Sequence, residues 1–188
     1  VHIQAGDSVL LLGSGPIALI FLQLALRSGA SHVEVVGRNP AKLKIAEELG
    51  AHKARKLIEG EPRGEVIEVL REVAPYGFSI AIDTTGSPQL VEAILPCVRT
   101  GGKLLIFGVA GQGDEMRIRP FEVMRRELTI IGSFAQHLTF QRAIDLIGSG
   151  GVNVKPLISD LIDLDAVRDH IDPARRKTLL KAVVKFSE

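Results

Sequence analysis

The 188 residues suit one domain with an extension, and 46% apolar content is ample for a globular core. A net charge of +1, 4% aromatic residues and no Trp argue against a nucleic-acid-binding face. The apolar runs stop short of membrane-spanning length, the first residues are unlike a signal peptide, and the lone cysteine, Cys97, precludes an intrachain disulfide, so a cytoplasmic setting is expected.

The first predicted element is a buried strand, Ser8–Leu12, whose last four residues are all apolar. It runs into Gly13-Ser14-Gly15-Pro16-Ile17-Ala18 and then a helix, Pro16–Ser28, with Pro16 in its first turn and Gly29 after its end. Strand, glycine turn and helix in that order form the G-x-G-x-x-G/A fingerprint of dinucleotide binding. Gly13 permits the tight turn, Gly15 lets a pyrophosphate approach the backbone, and Ala18 keeps helix and strand close. The N–H groups of the helix start then face the phosphates.

His32–Val36 is the second strand, and Pro40–Leu49 a helix capped by Asn39 and stopped by Gly50. Ala54–Ile58 is a third strand whose basic residues suit a sheet edge. A helix, Pro62–Val73, places Val66, Ile67, Leu70 and Val73 on one face. Phe78–Ile82 is the fourth strand, Ser87–Val98 a helix with Ser87 as its cap, and Lys103–Phe107 the fifth strand. The glycine-rich loop Gly108–Asp114 precedes a sixth strand, Leu128–Gly132. Beyond it lie an amphipathic helix, Leu138–Ile147, an extended stretch, Leu157–Leu164, a short helix, Leu164–His170, and a strand, Leu179–Phe186.

Strands alternating with helices make parallel βαβ units. The fold class is therefore α/β: a doubly wound, mostly parallel six-stranded Rossmann sheet with a C-terminal helix-and-strand extension. The division falls at 1–135 for the nucleotide-binding domain and 136–188 for the C-terminal segment. Ligands of such sheets bind at the carboxyl ends of the strands. That edge carries Gly13–Gly15, Gly37–Asn39, Asp83–Gly86 and Gly108–Gly113.

The second strand also bears on which nucleotide is bound. NAD-selective sites place Asp or Glu at its end, on the ribose hydroxyls. Here Gly37 stands in that place, followed by Arg38, with Lys42 one turn into the next helix. A guanidinium can bind a 2′-phosphate through two parallel bonds. One charge-assisted bond is worth roughly 1.5–3 kcal/mol, enough to favour NADP over NAD about ten- to a hundredfold, with NAD still possible.

With these segments in place, the chain resembles the cofactor-binding half of the medium-chain dehydrogenase/reductase family, the zinc alcohol and polyol dehydrogenases. The matching stretches are Ala5–Val9, Gly13–Ala18, Leu49-Gly50-Ala51, Ala81–Gly86, Gly101–Leu104 with Phe107-Gly108, and Ile131-Gly132-Ser133. The resemblance implies that Gly13, Ser14, Gly15, Pro16 and Ile17 hold the pyrophosphate, and that Gly37, Arg38, Asn39 and Lys42 surround the adenosine ribose. It places Thr84, Thr85 and Gly86 near the adenosine, and Gly108, Val109 and Ile131 beside the nicotinamide. In dimeric relatives the last strand pairs with its copy, which here implies either a homodimer through Leu128–Ser133 or an ordinary sheet strand covered by Leu138–Ile147, and the resemblance further implies a catalytic zinc domain N-terminal to residue 1 that this sequence lacks. Leu179–Phe186 would pair with strands of that domain. The chain, which does not begin with Met, then reads as a piece of a longer enzyme and is expected to be inactive by itself.

Other chemistry fits the residues less well. His2, His32, His52, His137 and His170 have no partner at metal-ligand spacing, and Cys97 sits in an apolar stretch expected to be helical, so neither a metal site nor a catalytic residue is expected here. A short-chain dehydrogenase needs Tyr-x-x-x-Lys, but Ile80 follows Tyr76 at that spacing. A serine hydrolase needs G-x-S-x-G, which Gly13-Ser14-Gly15 does not supply. Asp83 is expected to organise its loop. A stand-alone nucleotide-binding module and a zinc-free quinone or enoyl reductase of the same family remain as alternatives.

Overall fold

The computed structural model describes residues 1–57, 67, 70–72, 74–135, 138–171 and 179–186. Among them, six strands form one sheet: β1 (Ser8–Leu12), β2 (His32–Gly37), β3 (Lys53–Lys56), β4 (Phe78–Asp83), β5 (Val98–Ile106) and β6 (Thr129–Gly132). Their order is β3-β2-β1-β4-β5-β6, and every neighbouring pair is parallel. The helices are α1 (Pro16–Arg27), α2 (Pro40–Glu48), α3 (Pro88–Ile94), α4 (Pro120–Arg125), α5 (Phe140–Gly148) and α6 (Val167–His170).

Successive side chains of a strand point to opposite faces, and here both faces are covered. On β1, Val9 and Leu11 join Leu19, Leu22 and Ala25 of α1 and Leu43 and Ala46 of α2. Leu10 and Leu12 join the other layer, with Val91 and Ile94 of α3, Leu70, Phe78 and Leu104. All four β1 residues are fully buried, which is why the strand reads as an unbroken apolar run. The helices after the adjacent strands β1 and β4 thus lie on opposite faces, and a crevice opens between the carboxyl ends of those strands.

Several boundaries differ from expectation for identifiable reasons. The helix expected through Val98 ends at Ile94, because Pro96 removes an N–H and its ring crowds the preceding turn. Cys97 therefore lies in the 3₁₀ turn Leu95–Cys97, not on an α-helix. The fifth strand begins five residues early, at Val98, and the extra length around Gly101 and Gly102 is a bulge: Phe78 pairs with Val98, but Ile80 with Lys103. Helix α4 was not expected, and none of its residues is buried. Of the expected helix Pro62–Val73, Ile67 and Leu70–Glu72 are described and helical. The rest of it, Ile58, and the basic run Arg175-Arg176-Lys177 lie outside the described residues.

The C-terminal segment has a pairing within this chain that the sequence reading did not include. β8 (Ala182–Val184), within the stretch assigned to strands of an absent domain, pairs in parallel with β7 (Asp160–Ile162) of this same chain. The two strands satisfy each other's backbone groups locally, with Lys185 N–H donating to the Ile162 carbonyl at 2.8 Å. The expected short helix is present as α6.

One buried charge interrupts the core. Glu34, in the middle of β2, is fully buried and accepts from Arg55 Nε on the neighbouring strand, with His32 Nε2 at 3.4 Å. Carboxylates are seldom buried unless paired, and Arg55 supplies that partner.

Candidate functional site

The strand ends Leu12, Gly37 and Asp83 bring three turns together. Between them is a cleft of about 300 Å³, lined in part by Gly13, Ser14, Gly15, Gly37, Arg38, Asn39, Lys42 and Thr85. Eight of the expected site residues are thus in one place. Val36, Leu57, Ser87 and Leu90 also line it, and motif reading missed them. Ser87 and Leu90 had a signal: they begin the helix that follows β4, one strand over from the glycine turn.

The glycine turn is shaped by close approach. Gly13 has φ +108°, its N–H donates to the Val36 carbonyl at 2.8 Å, and a Cβ there would collide with Thr84 Oγ1. Thr84 Oγ1 donates to the Leu12 carbonyl at 2.6 Å, so it ties β4 to β1 beneath the turn. Gly15 is the N-cap of α1, and a Cβ there meets nothing within 4 Å. Its open side, the lack of a capping side chain and the lack of an acid in the first helical turn leave the amide end of α1 free to receive an anion. Pro16 and Ile17 form that first turn, and Ile17 is exposed.

The end of β2 is equally constrained. A Cβ on Gly37 would stand 2.7 Å from Ser14 Cβ and closer still to its hydroxyl oxygen. Ser14 is itself buried. Its side chain fills the space in which an acid at position 37 would begin. Asn39 caps α2, accepting from the Lys42 N–H at 3.1 Å. Partial burial pushes the Lys42 ammonium below its ordinary range. The cleft thus carries two cationic side chains, Arg38 and Lys42, and none of its lining residues is acidic.

Asp83, at the end of β4, is buried, and its carboxylate is fully engaged. Oδ1 accepts from the Thr85 N–H at 2.9 Å and the Thr85 hydroxyl at 2.7 Å, and Oδ2 from the Gly86 N–H at 3.2 Å. It organises the loop, as expected. Gly86 packs its backbone directly against Gly108 and Val109, which clamps the β4 and β5 loops together. Thr84, Gly86, Gly108 and Val109 do not line the cleft; they support or continue its rim. Ile131 lies on β6, half-buried against the core. Among the described residues, no three His, Cys, Asp or Glu side chains come together as a metal site. No helix among them is long and apolar enough to cross a membrane.

Comparison with known proteins agrees with this geometry. The family model for zinc-binding dehydrogenases matches residues 16–149. The chain is 28% identical over 182 residues to D-arabinitol dehydrogenase 1 of Uromyces fabae, covering 97% of this chain and 52% of that protein. It is 28% identical over 172 residues to sorbitol dehydrogenase of Bacillus subtilis, covering 92% of this chain and 48% of the relative. The chain spans about half the length of the curated relatives it matches. Among solved structures, a protein described as a zinc-binding dehydrogenase from Sinorhizobium meliloti 1021, bound to NADP, superposes with a TM-score of 0.87 at 31% identity, covering 97% of this chain and 53% of that one. With a six-stranded parallel sheet, a glycine turn at its switch point and a family match over most of its length, the chain belongs to the zinc-binding dehydrogenase family, as its NAD(P)-binding part.

Proposed function

We propose that this chain is the NADP(H)-binding half of a zinc-type alcohol or polyol dehydrogenase. The observation that carries the preference is the end of β2, where Gly37 is followed by Arg38, with Lys42 in the same cleft. In this reading the backbone from Gly13 to Ile17 cradles the pyrophosphate. Arg38 takes the 2′-phosphate in two parallel bonds, and Lys42 adds charge beside it. Thr84, Thr85 and Gly86 border the adenosine side. Gly108, Val109 and Ile131 continue the crevice toward the nicotinamide. The cofactor, when bound, supplies the carbon that exchanges hydride with an alcohol or carbonyl substrate. This chain's own residues bind and orient it, and no proton donor or acceptor for the reaction is assigned among them. A preceding catalytic domain bearing zinc would complete the enzyme, so the 188 residues alone would be inactive.

Two further parts of the reading follow. β6 ends the sheet, and pairing with a second copy along Leu128–Ser133 would satisfy its open backbone edge. The single, buried, unpaired Cys97 suits a reducing cytoplasm.

Fluorescence titration with NADPH and NADH tests the assignment. NADPH binds more tightly, and Arg38→Ala narrows the gap by at least several-fold. Equal affinities for the two nucleotides in the unaltered chain would refute it.

A further inference from the structure

A second cavity, more than twice the volume of the nucleotide cleft, lies away from the nucleotide edge. It opens at the other end of the sheet, against the amino ends of β4 and β5 and the residue run leading into β6, with a volume of about 700 Å³. Six arginines line it: Arg71, Arg99, Arg117, Arg119, Arg125 and Arg126. The chain has 14 Arg and 9 Lys, yet no lysine contributes to this lining. With Glu92 and Glu122 as its only acids, the groove carries a net charge of four within a chain whose total is +1.

Two carboxylates cannot balance six guanidiniums. Glu122 is bound to Arg125 at 2.9 Å, which holds its carboxyl below the usual range. Glu92 is occupied by a backbone group, accepting from the Arg117 N–H at 2.7 Å. Arg126 donates to the Val98 carbonyl and shares the field of Glu122 with Arg125 and Arg119. Arg99 faces Asp7 at 3.6 Å, beyond hydrogen-bond distance. Among the described residues, the side chains of Arg71, Arg117 and Arg119 form no ion pair, although Arg119 acts on Glu122 through space.

A cleft lined by one sign of charge concentrates the opposite ion. Arginine's planar fork matches phosphate oxygens in pairs, whereas lysine offers a point charge. The geometry points to a binding site for a small polyphosphate anion, carried on this groove and separate from the nucleotide cleft. These three guanidiniums come from two parts of the chain, before β4 and at residues 117 and 119, and converge on one cavity. Its volume is that of a small-molecule site. Tyr76, 90% exposed on the rim, offers a ring face if the phosphates are carried by a nucleoside.

The test is calorimetric titration of the 188-residue chain with inorganic tripolyphosphate, and in parallel with ATP. Tripolyphosphate binds the unaltered chain, and Arg71→Ala/Arg119→Ala weakens it at least tenfold, with NADPH affinity and melting temperature unchanged. Gly15→Val, which fills the nucleotide cleft, leaves tripolyphosphate binding intact. A gain in affinity for ATP over tripolyphosphate that Tyr76→Ala removes identifies the ligand as a nucleotide; equal affinity identifies the bare polyphosphate. The proposal is overturned by absence of binding, or by loss of tripolyphosphate binding in Gly15→Val but not in the arginine variant. It is equally overturned if Arg142→Ala/Arg168→Ala, exposed arginines outside the groove, weakens binding as much. None of these outcomes depends on whether NADP or NAD is the preferred cofactor.

Discussion

If the cleft is the NADP site proposed above, replacing Gly37 by aspartate is the obvious way to convert it to NAD, and Ser14 stands in the way of that change alone. The new Cβ would stand 2.7 Å from Ser14 Cβ, well inside contact distance. Position 37 does not have the positive φ that would strain any side chain, so the obstacle is Ser14 itself. Forcing an atom into such a site costs about 1–3 kcal/mol. For a domain of this size that lowers the melting midpoint by about 2–12 °C. The single variant therefore melts lower and loses NADPH, because the carboxylate repels the 2′-phosphate, without gaining NADH in proportion. Ser14→Gly removes both crowding atoms, so Ser14→Gly/Gly37→Asp recovers the melting midpoint and prefers NADH. Ser14→Ala keeps the Cβ at 2.7 Å and does not rescue. The preference reverses from roughly ten- to a hundredfold for NADPH, the worth of one charge-assisted bond, to at least tenfold for NADH. Thermal melts and fluorescence titrations of the four proteins measure both quantities. If Gly37→Asp alone melts like the parent and binds NADH well, the steric argument is wrong.

Other expectations are more local. Gly15→Val keeps its fold, since a Cβ meets nothing there, but weakens NADPH and NADH alike by more than a hundredfold; unchanged titrations would mean the cradle lies elsewhere. Asp83→Asn turns an acceptor of three bonds into a group with one acceptor oxygen, and lowers stability by about 1–3 kcal/mol in denaturant melts; a variant as stable as the parent would contradict the loop role. Burial pushes the Cys97 thiol up to about 11, so its reactive thiolate is scarce at pH 8. Iodoacetamide at that pH labels the unfolded chain and spares the native one, as mass spectrometry would show; rapid native labelling would contradict the burial.

The centre of the sheet is legible because β1 and β4 are buried on both faces, so Val9–Leu12 stands out as an apolar run and Phe78–Ile82 as one broken only by Ser79. The cleft was legible where a turn needs particular residues, at Gly13–Gly15 and Gly37–Asn39. What escaped has a common cause, dependence on partners distant in sequence. Glu34 looks like a surface residue until Arg55, one strand over, comes beside it. The bulge at Gly101 and Gly102 reads as a break because the pair of glycines is what a turn would also use. Helix α4 has no buried apolar stripe to give it a period. The pairing of β8 with β7 is hard to read because β7 is only three residues long.

The two margins of the sheet are unlike. β3 presents Lys53 and Lys56, Arg55 being held by Glu34, as a cationic border that turns away another such border. β6 presents Thr129, Ile130, Ile131 and Gly132, with no charge at all. Lateral growth therefore has one gate and one wall. If a second copy docks on β6 as proposed, only the cationic borders are left outward, and their repulsion disfavours growth beyond a pair.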